Sequence, residues 1–242
     1  MSADVLDFAR NAMASLQAFL WPDAREFTIP VYFDYFATFT WAVSGALIGV
    51  YRRYDLVGVF VIALISASGG GLLRDGIVLQ RTPAFLTNGI YVILVTAATT
   101  AVALSAQKRL LRAKWTTVNR LVELIDTVGV PAYAVIGMQL ATAYELATPG
   151  IVLVGVLNGV GGGVLRDVLA NEPALLLLPG QYTTLVLLLA CVVFVVLTRW
   201  SGIAPTPAGL AAMALYFVIR ALTIRYNWRT RPLLSEVPNE QH

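Results

Sequence analysis

The chain has 242 residues, with 17 Lys+Arg against 14 Asp+Glu and a formal net charge of +3. Hydrophobic residues make up 58% and charged residues only 13%, against roughly 25% charged in an ordinary soluble domain. That balance excludes disorder and argues against a water-soluble globule, because the apolar residues fall in long blocks. The single cysteine, Cys191, and the single histidine, His242, exclude an intramolecular disulfide and any Cys- or His-built metal site. No Ser/His arrangement points to an enzyme, and no cofactor is expected.

A helix needs about 20 residues to cross a ~30 Å hydrocarbon layer. Residues 1–29 come first as an N-terminal segment. It begins acidic (Asp4, Asp7), and Val5, Ala9, Ala12, Met13, Leu16, Phe19 and Leu20 recur at helical spacing. This predicts an amphipathic helix at the interface rather than a signal peptide. Seven spans follow, at approximately 30–50, 56–80, 88–107, 121–142, 149–169, 181–199 and 203–225. The first carries Asp34 and the fourth carries Glu123 and Asp126; the second and fifth each run charge-free into an Arg-Asp pair. Turn signals at Tyr54-Asp55, Arg81-Thr82-Pro83, Thr148-Pro149, Pro179-Gly180 and Ser201-Gly202 separate the spans. Pro131 predicts a kink in the fourth.

Counting Lys and Arg by side gives 12 on the side reached after the first span and 5 on the other. The positive-inside bias then puts the N-terminus outside and the C-terminus in the cytoplasm of a plasma-membrane protein. The basic loop at 108–120, with Lys108, Arg109, Arg112, Lys114 and Arg120, serves orientation first and anionic lipid headgroups second. Orientation explains the positive charge, so no nucleic-acid partner is implied.

The most informative feature is a repetition. Ser68-Gly69-Gly70-Gly71-Leu72-Leu73-Arg74-Asp75 corresponds to Val160-Gly161-Gly162-Gly163-Val164-Leu165-Arg166-Asp167 at an offset of 92. The same offset aligns Asp34 with Asp126, Gly45 with Gly137 and Gly58 with Gly150, and 11 of the 45 residues from 34 to 78 are identical in this register. Each copy holds three spans, an odd number, so the second copy enters the membrane from the opposite side. The expected fold is therefore an all-α polytopic membrane protein of seven transmembrane helices. It consists of two inverted three-helix repeats, 30–107 and 121–200, then a seventh helix within 201–228 and a polar tail at 229–242.

Three glycines in succession weaken a helix by about 0.8–1 kcal/mol each relative to alanine. They predict either a kink or break in spans two and five, or close helix packing. An Arg at membrane depth costs at least ~2.5–3.5 kcal/mol on insertion scales and needs a carboxylate or a wet cavity. For Arg74 and Arg166 the candidates are Asp75, Asp167, Asp34 and Asp126. The sequence allows pairing within a repeat, or across repeats with Arg74 on Asp126 and Arg166 on Asp34. Such pairs hold the halves together, line a conduction path, or do both.

The doubled Gly-Gly-Gly-x-Leu-Arg-Asp motif in spans two and five, with a seventh helix after the repeats, resembles the prokaryotic branch of the trimeric intracellular cation channels. The resemblance covers about residues 30–225. It implies a homotrimer with a pore in each subunit for monovalent cations, chiefly potassium, bounded by the glycine-rich kinks of spans two and five at Gly69, Gly70, Gly71, Gly161, Gly162 and Gly163. With Asp34, Arg74, Asp75, Asp126, Arg166 and Asp167 these make up the expected pore and gate. The Lys-Glu-Val tripeptide of animal members is absent. Two other readings stand beside the channel: a secondary transporter, since inverted repeats are a common transporter plan, and a structural or lipid-handling membrane protein.

Overall fold

A computed structural model describes residues 32–109, 115–177, 182–226 and 228. The predicted interfacial segment, the centre of the basic loop and the polar tail lie outside the described residues. Among the described residues the long helices are, in chain order, α1 Tyr32–Tyr51, α2 Leu56–Leu72, α3 Ile90–Arg109, α4 Trp115–Ala143, α5 Thr148–Leu169, α6 Thr183–Val195 and α7 Pro205–Arg225. α2 continues into a wider π-helical turn at Leu73–Val78, and α6 into another at Val196–Trp200. Single turns at Ala84–Thr87 and Leu175–Leu177 fill connections. The described residues contain no strand.

Local chemistry explains the helix ends. The Asp55 carboxylate accepts from the Gly58 amide at 2.7 Å and caps α2. Proline in the first turn starts α5 and α7, where its missing N–H costs nothing. α4 begins at Trp115, six residues before the expected 121, because the polar stretch Trp115–Arg120 extends the helix instead of forming loop. Pro131 sits inside α4 without ending it.

Among the described residues five helices are long and apolar enough to cross a membrane: Leu56–Val78, Thr116–Ala143, Thr148–Leu169, Thr183–Trp200 and Pro205–Arg225. The apolar part of α3, Ile90–Ser105, is shorter. α1 packs against α2, α3 and α4; α4 packs against α5, α6 and α7; α2 lies against α5. The connections alternate between two ends of the molecule. At one end Arg52, after α1, meets Glu172, after α5, at 2.6 Å. At the same end Arg220 of α7 meets Glu123 of α4 at 3.2 Å. At the other end the Arg199 guanidinium donates to the Leu146 carbonyl at 3.0 Å, and Arg81 lies 5.8 Å from the Tyr144 ring centroid. The core between them is apolar, with Trp41, Phe194, Met138, Ile151, Leu187 and Tyr216 all buried.

Candidate functional site

The site begins where α2 crosses α5. A Cβ added at Gly70 would lie 2.3 Å from the Asn158 carbonyl oxygen, and one at Gly162 would lie 2.3 Å from the Ser66 carbonyl oxygen. A Cβ at Gly69 would lie 3.1 Å from the Gly162 Cα, and one at Gly161 would lie 3.3 Å from the Gly70 Cα. Backbone therefore meets backbone, which only glycine permits at this distance. The contacts are reciprocal at the sequence offset: position 70 meets 158 as 162 meets 66, and 69 meets 162 as 161 meets 70. Trp41 and Tyr133, also 92 apart, face each other edge-on at 5.9 Å between ring centroids. Ser66 donates to the Trp41 carbonyl, and Asn158 at the matching position donates to the Tyr133 carbonyl.

The glycine runs do not break their helices. α5 stays α-helical through Gly161, Gly162 and Gly163, and α2 stays so through Gly69, Gly70 and Gly71, departing only at Leu73–Val78. Close packing on the facing helix is realised at Gly69, Gly70, Gly161 and Gly162. Removing the side chain brings the neighbouring helix near enough to offset the lost helix propensity.

Beyond this waist the two Arg-Asp motifs differ. Arg166 is fully buried and its Nη1 and Nη2 donate to the two Asp126 carboxylate oxygens at 3.0 and 3.1 Å. Its Nε donates to Asp167 at 2.8 Å, Nη1 also donates to the Ser44 hydroxyl, and the guanidinium lies 5.9 Å from the Trp41 ring centroid. This is a fully buried arginine, with all three guanidinium nitrogens engaged, between α4, α5 and α1. It resolves the open pairing: Arg166 takes the aspartate of its own repeat.

Arg74 does not follow suit. Its Nε and Nη2 donate to the neighbouring Asp75 at 2.6 and 2.8 Å, and Arg81 donates to the same carboxylate at 3.1 Å. Asp34, the counterpart of Asp126, makes no ion pair among the described residues. It is 6% exposed and accepts a hydrogen bond from the Tyr91 hydroxyl. A cavity of about 30 Å³ opens here, lined by Asp34, Thr38, Gly71, Arg74, Tyr91 and Tyr133 among others. A Cβ at Gly71 would meet only Arg74 Nη2 at 3.8 Å, whereas one at Gly163 would meet Leu176 at 2.9 Å and Trp41 at 3.1 Å. The place that is filled and paired in the second unit is thus hollow in the first.

The residues singled out in the sequence therefore gather around one crossing: Gly69, Gly70, Gly161 and Gly162 form it, and Gly71, Gly163 and the Arg-Asp groups lie beside it. Sequence reasoning missed Trp41, Tyr91 and Tyr133. Trp41 and Tyr133 carried a signal, an aromatic pair at the repeat offset. Tyr91 carried none, since its counterpart is Thr183. Ser44 stood out only as one of several polar residues within the spans. With buried charges, mostly apolar helices and no group of three or more metal-ligating side chains among the described residues, the arrangement suits passage or binding of a small polar solute rather than bond chemistry.

Fold and site together define a polytopic helical membrane protein with the architecture of the TRIC channels. The structure superimposes on the TRIC trimeric intracellular cation channel orthologue from Rhodobacter sphaeroides with a TM-score of 0.73, at 25% identity, covering 84% of this chain and 100% of that one. It matches another TRIC cation channel at a TM-score of 0.73 and 24% identity, covering 87% of this chain and 100% of that one. A third, from Caenorhabditis elegans, matches at a TM-score of 0.57 and 18% identity over 82% and 91%. The sequence profile of the family described as Glycine transporter matches residues 31–107 and again 123–199, and the chain belongs to that family. The resemblance read from the doubled motif is borne out, and the family is one of transport proteins rather than enzymes.

Relatives include the UPF0126 membrane protein of Vibrio cholerae, 33% identical over 80% of this chain and 78% of that protein. The UPF0126 inner membrane protein YadS of Escherichia coli is 31% identical over 80% and 91%. A UPF0126 membrane protein of Deinococcus radiodurans is 39% identical over 57% of this chain and 62% of that protein.

Proposed function

We propose that this chain conducts monovalent cations, potassium by preference, through a path inside each subunit of a homotrimer. The observation that carries the reading is Asp34: a buried carboxylate with no ion pair, facing a cavity beside the helix crossing, in a fold shared with cation channels. A carboxylate on the wall of a narrow path favours cations. The path runs from the cavity past Gly69–Gly71 and Gly161–Gly163 to the Arg166–Asp126–Asp167 cluster, which closes it in the described conformation. Opening moves Arg166 off Asp126.

In this reading 30–107 and 121–200 are copies of one three-helix unit inserted in opposite directions, and α7 completes seven transmembrane helices. The reciprocal glycine contacts and the two profile matches, both offset by 92, support that plan. The N-terminus faces outward and the C-terminus the cytoplasm, with the 108–120 loop against anionic headgroups. Purified protein in planar bilayers tests the proposal. Unitary steps in symmetric potassium chloride, and a reversal potential near the potassium equilibrium value in a gradient, are expected. Silence in several lipid mixtures refutes it.

A second reading, a secondary transporter for a small amino acid, is favoured by the family description and by the unequal halves. One end is hollow and the other sealed, the arrangement of an occluding carrier. It predicts no unitary steps and flux that depends on a second solute.

A further inference from the structure

The contrast between the filled half and the hollow half traces to one pair of residues. Trp41 of α1 and Tyr133 of α4 hold equivalent positions in the two repeats and meet edge-on. Tyr133 is tied down. Its hydroxyl pairs with the Thr38 hydroxyl at 2.8 Å and donates to the Ala67 carbonyl at 2.9 Å, and its ring borders the hollow. Trp41 is packed but untied: it is 1% exposed, and its indole Nε1–H has no hydrogen-bond partner among the described residues. A buried N–H normally finds an acceptor, because an orphaned donor gives up its water for nothing. The ring is held by shape instead. A Cβ added at Gly129 of α4 would overlap its pyrrole edge at Nε1 and Cδ1. One at Gly162 of α5 would lie 2.8 Å from Cζ3, and one at Gly163 would lie 3.1 Å from Cη2. Three glycines on two helices thus form a socket for the indole. Gly129 stands outside the repeated motif, and its counterpart is Ala37.

We propose that the Trp41 indole is the plug of the conduction path. Seated in its socket, it lies over the Arg166 guanidinium, 5.9 Å from the ring centroid, and fills the space beside Gly163 whose mate beside Gly71 is left empty. An apolar side chain in a narrow path excludes water, and ions do not cross a dewetted stretch. While the ring shields it, Arg166 stays on Asp126. When the ring leaves, water reaches the ion pair and weakens its attraction. The orphaned Nε1–H gives the ring a reason to leave. It raises the energy of the seated rotamer relative to one in which the N–H meets water, which keeps closed and open states close enough to interconvert. Trp41 acts on the cation path proposed above, so its role as a gate rests on that reading. Exclusion of water by the seated ring is measured without current.

The test unseats the indole in two ways. Trp41→Tyr shortens the plug to the residue its repeat mate carries, and Gly129→Ala fills the socket while leaving Trp41 intact. In planar bilayers with symmetric potassium chloride, each is expected to raise open probability by roughly threefold or more at unchanged unitary conductance. The second readout is modification by a water-borne cationic thiol reagent of full-length protein carrying Ser44→Cys and Cys191→Ala. Ser44 is buried one turn along α1 from Trp41 and touches Arg166. Modification is expected to be slow with Trp41 seated, and about tenfold faster once Trp41→Tyr or Gly129→Ala is added, because a thiol reacts as its hydrated thiolate. Rapid modification with Trp41 seated overturns the proposal. So does an unchanged rate in either folded variant, or an unchanged open probability in protein that conducts. Silence from wild type and variants alike refutes the cation path, and the modification rates then decide the plug by themselves. If one variant fails to assemble, the other decides, and if both fail, the rate with Trp41 seated does.

Discussion

Alanine at two neighbouring glycines of one motif should act with opposite sign. In Gly70→Ala the new Cβ lands 2.3 Å from the Asn158 carbonyl oxygen, roughly 1 Å inside an ordinary carbon–oxygen contact. The obstacle is backbone, so no rotamer change relieves it and α2 must separate from α5. Overpacking costs about 1–3 kcal/mol, and the rigid obstacle places this case at the upper end. Replacing a helical glycine returns about 0.8–1 kcal/mol, leaving a net loss of about 2 kcal/mol. In Gly71→Ala the nearest atom is Arg74 Nη2 at 3.8 Å, so only the propensity gain remains and the protein should be stabler by up to about 1 kcal/mol. Thermal unfolding of both variants in one detergent reads the contrast. At ~2–4 °C per kcal/mol for a chain of this size, the two should differ by about 6–12 °C. If Gly70→Ala unfolds no lower than Gly71→Ala, the close backbone crossing is wrong.

Further predictions concern the charges. Asp126→Asn strips one carboxylate from a fully buried arginine and should destabilise by ~3 kcal/mol, the low end for a broken buried pair, because Asp167 still holds Nε. In protein that still assembles, Asp126→Asn and Arg166→Ala should change conductance or gating in bilayers. An unaltered record from assembled variants assigns the cluster to structure alone. Arg52→Ala removes a partly exposed pair with Glu172 and should cost no more than about 1 kcal/mol, with the difference from wild type shrinking as salt rises. A salt-insensitive loss larger than that would contradict a solvated pair.

Much of this fold was legible because membranes impose simple arithmetic. Charge-free blocks in residues 88–107, 181–198 and 203–219 mark helices α3, α6 and α7, and the doubled Gly-Gly-Gly-x-Leu-Arg-Asp run marks the place where α2 and α5 cross. The glycines, arginines and aspartates named from that run all lie at the site. The difference between the two halves was not legible. It depends on Gly71 facing open space while Gly163 meets Leu176 and Trp41, a matter of packing that composition does not encode. Nor did the sequence show that Tyr91 would occupy Asp34, since the repeat places Thr183 there. The early start of α4 escaped because Trp115–Arg120 reads as loop by charge and is helix by continuity.

The close crossing of α2 and α5 has a mechanical consequence. A joint where α-carbons and carbonyls meet directly, with Leu73, Leu165 and Trp41 packed around it, has little slack to compress, so it acts as a fulcrum. Tilting one three-helix unit against the other about that point widens the space on one side and narrows it on the other. The hollow beside Asp34 and the tight knot around Arg166 are then opposite arms of one lever, and whatever loosens the knot should squeeze the hollow.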